Sequence, residues 1–282
     1  MSRNLKSPIS NLKSNQMDDF AKIGTEAARE AGRLLLDRFH EGFTISHKGA
    51  INLVTDADLA AEELIVSKIR KAFPDHVIVA EERHNGKRGQ GFSWVIDPLD
   101  GTTNFAHGYP VFSVSIGLEA AGGLEWGAVF DPVRDEFFSA RRGCGATCNG
   151  TILRVSQTAR LDSSLLATGF PYDIRTSRQN NLRNFCGFAL RTQGVRRSGS
   201  AALDLCAVAS GRLDGFWELK LNPWDCAAGF LIVREAGGIV TNFSGRPGLI
   251  DDGEVVASNG LIHQEMLDVL KGIGDLRLGI GD

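Results

Sequence analysis

Apolar positions recur along this chain in two rhythms, one at every third or fourth residue and one at every second. The first marks helices that bury one stripe, the second strands that bury one face. Phe20, Ile23, Ala27, Ala31, Leu34 and Leu35 follow the helical rhythm, with Asp18 and Asp19 placed to cap the helix and an end near Phe39 to Gly42. Residues 43–46 read as a short strand that leads into a loop at 47–50. Thr55 stands as an N-cap with Asp58 three positions on, the reciprocal pair of a capping box, ahead of a stripe of Leu59, Ile65, Val66, Ile69 and Phe73. Pro74 stops that helix. Val77, Ile78, Val79 and Ala80 make a compact apolar strand that delivers Glu81 and Glu82 at its end. A polar, Gly-rich loop over 85–91 connects it to a second strand beginning at Trp94.

Alternating or apolar runs over 112–119, 124–130, 136–140 and 152–155, separated by turns, predict a meander of antiparallel strands. The second half changes rhythm. It predicts helices over 175–190, 201–210, 223–236 and 262–270, with strands at 194–196, 214–218, 238–241 and 255–257. No repeat or linker interrupts the chain, so the expectation is one compact unit of two halves, 17–150 and 151–282, joined near Gly150.

Composition narrows the picture. With 282 residues, 43% hydrophobic and 23% charged, the chain resembles an ordinary globular protein, and its net charge of -3 exerts no global pull on nucleic acid or acidic membranes. No apolar run approaches the ~20 residues that span a bilayer. Residues 1–16 are rich in Ser, Asn and Lys, carry no acid and have no apolar segment of the secretory kind, so they are expected to form a disordered tail. Five cysteines, an odd number without an export signal, read as reduced thiols in a cytoplasmic protein.

The densest chemistry lies in Trp94-Val95-Ile96-Asp97-Pro98-Leu99-Asp100-Gly101-Thr102-Thr103-Asn104-Phe105. A buried strand here ends in two carboxylates three residues apart, and Gly-Thr-Thr then enters a helix with its N–H groups available to an anion. Each acidic candidate also has a structural explanation: Glu81 as a solvated strand end, Asp97 and Asp100 as Asx-turn residues, and Asp225, after Asn222-Pro223-Trp224, as a complement to a helix dipole. Together they outweigh those explanations. Oxygen-only ligands without a competing His or Cys cluster point to a hard ion such as Mg²⁺.

Three separated motifs then resemble one family: Glu81-Glu82; the 97–105 run; and Asn222-Pro223-Trp224-Asp225 followed by Ala227-Ala228-Gly229. They are similar to the inositol monophosphatases, within the lithium-sensitive, Mg²⁺-dependent sugar-phosphatase superfamily. The similarity runs from about Asp18 to Leu270 and includes Lys48, the 52–55 run, Gly199-Ser200-Ala201-Ala202 and Gly237-Gly238. It implies an α+β fold layered as an α-β-α-β-α sandwich. It also implies hydrolysis of a small phosphate monoester, myo-inositol monophosphate foremost, by direct attack of a metal-activated water. Glu81, Asp97 and the Leu99 carbonyl would hold one Mg²⁺; Asp97, Asp100 and Asp225 a second; and Glu81 a weaker third through water. The Gly101 and Thr102 N–H groups would bind phosphate. Glu81 and Thr102, the latter oriented by Asp58, would form the catalytic set around the attacking water. Glu218 and the Gly199-Ser200-Ala201 backbone would contact the alcohol, in a pocket that Asp100 and Asp225 also border. The resemblance further implies Li⁺ inhibition and a homodimer. Asn52 departs from the Asp often found there, and residues 220–222 carry no clear substrate signature.

Rival readings are weaker. In D-x-D-G-T phosphatases the nucleophile lies two residues before the second Asp, where this chain has Pro98. Cys148 and Arg154 have the spacing of cysteine-dependent phosphatases, but Thr147 and Gly150 do not fit that motif. Superfamily relatives act on fructose 1,6-bisphosphate, histidinol phosphate or 3′-phosphoadenosine 5′-phosphate. Others serve as RNA polymerase accessory factors; Arg191, Arg196 and Arg197 could give such a role a basic surface, but they read first as an ordinary solvated face.

Overall fold

The computed structural model describes residues 14–47, 53–84, 86–89, 91–121 and 123–272. Lys48, Asn52 and most of the 47–50 loop therefore lie outside the described residues, as do residues 1–13 of the expected tail. Helix α1 (Ser14–Glu41) begins four residues before Asp18, so Asp18 and Asp19 sit exposed within its first turns rather than capping it. It ends as expected at Gly42, whose φ of 113° and N–H donation to the Arg38 carbonyl close the last turn. Strands β1 (Ile45–His47) and β2 (Leu53–Thr55) form a small antiparallel ribbon. Thr55 then starts α2 (Asp56–Ala72) with the expected capping box to Asp58. On α2 Leu59 is only partly buried, whereas Asp58 and Glu62 are each 1% exposed, an arrangement with functional consequences.

The first sheet contains β3 (Val77–Ala80), β4 (Ser93–Asp100), β5 (Ser113–Ala120), β6 (Gly123–Asp131), β7 (Glu136–Arg141), β8 (Gly145–Cys148) and β9 (Thr151–Ile152), in that spatial order. Only β3 and β4 pair in parallel; the rest is the expected meander, with α3 (Thr102–Ala106) between β4 and β5. Strand β8 lacks a strong apolar signal, and the strand expected over 152–155 shrinks to two residues. The second sheet orders as β11 (Gly194–Arg196), β10 (Leu165–Thr168), β12 (Gly215–Leu219), β14 (Glu254–Ser258) and β13 (Ile239–Thr241). Around it lie α4 (Leu182–Ala189), α5 (Ala201–Ala209), α6 (Pro223–Glu235) and α7 (His263–Gly272).

Two sheets and three helical layers alternate. α1 and α2 cover the outer face of the first sheet, α5 and α6 fill the space between the sheets, and α4 and α7 cover the far face of the second. Strand alternation assigns each side chain its layer. Trp94, Ile96, Ile116, Trp126 and Phe130 enter the core under α1 and α2, while Val95 and Val129 point to the α5–α6 layer. In the second sheet Ala167, Phe216 and Val255 face inward, and Leu166, Trp217 and Val256 face α4 and α7. Each large apolar side chain so buried contributes ~1.5–3 kcal/mol.

The helix expected over 175–190 forms only from Leu182. Before it, Asn181 takes a left-handed φ of 68°. Its amide donates to Thr168 Oγ1 and the Gly169 carbonyl, and its oxygen accepts from Trp217 Nε1. These buried bonds outweigh local helix propensity and tie the segment to β10 and β12. Strand β10 itself was not expected from the sequence.

Glycine permits the close central packing. A Cβ on Gly117 would lie 2.8 Å from the Ala227 Cβ, and one on Gly127 would lie 2.9 Å from the Ala228 Cα, so α6 rests directly on β5 and β6. Gly127→Ala should therefore cost about 1–3 kcal/mol by overpacking, read as a lower Tm. Gly91→Ala, where a Cβ meets nothing within 4 Å, should change stability by no more than about 0.5 kcal/mol.

Candidate active site

The two central aspartates share a cavity because the strand between them is irregular. Asp97 lies two residues after Val95 and follows it toward the α5–α6 layer. Asp100 has the opposite parity and in an unbroken strand would face α1 and α2. The β4–β5 register shifts between these two residues, at the point where Pro98 has no N–H to donate. Leu99 turns into the outer core, and Asp100 comes round to the cavity that Asp97 lines. Gly101 completes the corner at φ 99°, where a Cβ would also lie 2.9 Å from the Val111 carbonyl, so the position accommodates only glycine without strain.

Every cavity residue expected from the sequence reaches this place. Glu81, Asp97, Leu99, Asp100, Gly101, Thr102, Gly199, Ser200, Ala201, Glu218 and Asp225 all line it. Glu81 arrives at the end of β3, its N–H donating to the Ile96 carbonyl at 3.3 Å. Asp225 arrives at the start of α6, where its Oδ2 accepts the Asn222 N–H at 2.7 Å. Asp100 Oδ2 is held from the start of α5 by Ser200 Oγ at 2.5 Å and the Ala202 N–H at 2.9 Å. Ser200 thus has a side-chain task besides its expected backbone contact, since its hydroxyl also accepts the Leu203 N–H.

Asp58 lies beneath the cavity and serves two partners at once. Its Oδ2 accepts from the Thr55 N–H at 2.8 Å and from Thr55 Oγ1, while its Oδ1 lies 3.1 Å from Thr102 Oγ1. The Thr102 hydroxyl also lies 3.0 Å from the Leu99 carbonyl, so its single proton has two acceptors. Helix α3 is only five residues long, so an anion here would meet individual N–H groups more than a helix dipole.

A profile of the inositol monophosphatase family matches residues 16–273. The inositol-1-monophosphatase of Synechocystis is 49% identical over 260 residues, covering 91% of this chain and 90% of that protein. The Nus factor SuhB of Pseudomonas aeruginosa is 44% identical over 264 residues, covering 90% and 97%. A solved inositol monophosphatase from Anabaena superposes with a TM-score of 0.83 at 45% identity, covering 90% of this chain and 96% of its own. The chain belongs to the inositol monophosphatase family. It is thus a phosphoric monoester hydrolase with the family's layered fold.

The family is generally metal-dependent, and the residues present suit a hard cation: carboxylates and a carbonyl in one cavity, with no sulfur or imidazole donor among those lining it. Among the described residues no three His, Cys, Asp or Glu side chains already stand as a closed ligand cluster. Asp97 is held well above the usual carboxylate range, first by burial and then by the charges of Glu81, Asp100 and Asp225. Burial is also the first cause for Asp100, pushed up to about 6, and for Asp225, pushed up to about 7.

Sequence reasoning missed two charged residues of the wall. Arg197, read there as part of a solvated face, lines the cavity beside Asp204. Asp204 is 3% exposed and is raised to about 8, chiefly by burial. Its signal was available: it is the lone charge in Ala201–Ala209, an otherwise apolar helix. The cysteine alternative finds no support, because burial raises the Cys148 thiol and the Arg154 guanidinium donates to the adjacent Leu153 carbonyl. No described helix is long and apolar enough to cross a membrane.

These raised carboxylates lead to a pH test. The folded chain retains protons that the unfolded chain releases above 3.8, so their stabilising contribution is full below that pH. It is lost as pH rises through about 6 for Asp100, about 7 for Asp225 and about 8 for Asp204. In chelator, Tm should fall by several degrees between about pH 6 and about pH 8. Saturating Mg²⁺ should remove most of that fall, as followed by calorimetry.

Proposed function

We propose that this enzyme hydrolyses a small phosphate monoester, myo-inositol monophosphate foremost, with two or three Mg²⁺ ions as cofactor. The observation that carries the reading is the shared cavity of Glu81, Asp97, Asp100 and Asp225, with the Asp58–Thr102 pair at its edge. Glu81, Asp97 and the Leu99 carbonyl would hold one cation, and Asp97, Asp100 and Asp225 another. When bound, such ions supply Lewis-acid chemistry, drawing charge from phosphoryl oxygens and acidifying water.

The chain's own groups account for the rest. The Gly101 and Thr102 N–H groups hold the phosphate in line with an attacking water. Asp58 accepts a hydrogen bond from the Thr102 hydroxyl, which turns a Thr102 lone pair toward that water and orients it beside Glu81. The water oxygen bonds to phosphorus as the ester P–O bond breaks, the proton that water gives up ends on the departing alcohol oxygen, and no covalent enzyme intermediate forms. Glu218 and the Gly199-Ser200-Ala201 segment receive the alcohol hydroxyls. Burial first, and then the neighbouring Asp204 and Asp225 carboxylates, hold the Glu218 carboxyl well above its ordinary range.

Asp97→Asn and Asp100→Asn should each lower kcat on the order of 10³-fold in steady-state phosphate release. Thr102→Ala should lower it ~10²–10⁴-fold with little change in KM. Near-wild-type turnover in Asp97→Asn would overturn the site assignment. Substrate choice is tested by kcat/KM across myo-inositol monophosphate, fructose 1,6-bisphosphate, histidinol phosphate and 3′-phosphoadenosine 5′-phosphate, with and without Li⁺. The expected order places inositol monophosphate first and shows Li⁺ inhibition.

A second reading has its own observation. Several relatives carry the name Nus factor, and residues 174–203 hold six arginines and no acid. An RNA polymerase accessory role, in a homodimeric cytoplasmic protein, would use that surface. Capture of RNA polymerase that survives Asp100→Asn would separate this role from hydrolysis.

A further inference from the structure

Helix α2 places two buried carboxylates one turn apart, Asp58 and Glu62, on the same face. Asp58 reaches Thr102. Glu62 reaches the turn that follows Glu81. Its Oε2 accepts the Glu82 N–H at 2.8 Å, and its Oε1 accepts the Arg83 N–H at 2.9 Å and lies 2.7 Å from His84 Nδ1. Both carboxylate oxygens are therefore committed to three consecutive residues.

The turn is also closed from within. The Ala80 N–H donates to the His84 carbonyl at 2.7 Å, and the Gly86 N–H donates to the Ile78 carbonyl at 3.0 Å, so the chain folds back on β3 immediately after Glu81. A buried acid is seldom retained on a helix unless its partners repay the loss of hydration. Here those partners are main-chain donors of the segment that aims Glu81.

We infer that Glu62 is a positioning residue for this enzyme, fixing the Glu81 carboxylate at the cation site through the 82–84 turn. The inference rests on the metal-dependent reading above. One face of α2 then sets both ends of the reacting centre, Thr102 through Asp58 and Glu81 through Glu62. Without the clamp, residues 81–84 would sample several conformations, and each cation bound would have to select one of them.

The test uses the full chain with Glu62→Gln, which keeps the shape but exchanges one acceptor for a donor, and Glu62→Met, which removes both acceptors. Mn²⁺ binding without substrate, read by calorimetry, should weaken at least about tenfold in both variants. Amide exchange at Glu82 and Arg83 should accelerate while the α2 amides hold. At saturating Mg²⁺, kcat should return to near the wild-type value with KM unchanged, a split that a general loss of structure would not produce. If Glu62→Met fails to fold, Glu62→Gln decides. Unchanged Mn²⁺ affinity in a folded variant whose turn amides exchange faster would overturn the inference. Asp97→Asn, measured alongside, keeps the two ideas apart: if it too binds Mn²⁺ normally, the cation site itself is wrong, and if it alone loses binding, only the role of Glu62 falls.

Discussion

Concentrated negative charge away from water is the constraint on which this architecture depends. Asp97 and Asp100 are 2% and 8% exposed, and Glu81 and Asp225 enter the same cavity from separate elements. No single strand or helix could supply four such groups, because regular alternation would send the two central aspartates to opposite faces. The irregularity at Pro98 overcomes that parity, and the rest of the site is placed around the resulting corner. Isolated charges so placed would be costly. The aspartates accept hydrogen bonds from the start of α5, the start of α6 and the Leu99 N–H, which offsets part of that cost.

The cavity lies where the two sheets and the central helices meet. α6 can bring Asp225 near β4 because Gly117 and Gly127 let it rest on the sheet backbone. α5 joins by gripping Asp100, and Asn104 spans the same seam by donating to the carbonyls of Val111 and Ser198. Packing and site geometry are thus one problem here: a shift of the middle layer would move Asp225 relative to the other three carboxylates and loosen the hold on Asp100.

Much of this was legible in the residues. Alternation located the first sheet's main strands, the Thr55–Asp58 capping box was present as read, and all the cavity residues expected from the motifs converged. The losses have physical causes. Alternation is too short to register in β8 and β10. Helix propensity over 175–181 yields to the buried bonds of Asn181, which no local pattern announces. Glu62 went unremarked because a sequence shows a charge but not its partner. The Asp58 contact with Thr102 spans 44 positions; the family resemblance implied it, whereas no local pattern in the sequence would have.

The half-engaged state of the aspartates bears on ion selectivity. Asp100 and Asp225 each have Oδ2 tied to a main-chain N–H, and Asp97 has Oδ1 tied to that of Leu99. A carboxylate anchored in this way most readily offers its other oxygen, so the cavity presents single oxygens rather than chelating pairs. Calcium, with six to eight oxygens at flexible angles and frequent two-oxygen grips, would have to pull these carboxylates off the backbone. A smaller octahedral ion that keeps several waters would need only one oxygen from each. The bonds that make the buried charges tolerable would then also weigh against the larger ion.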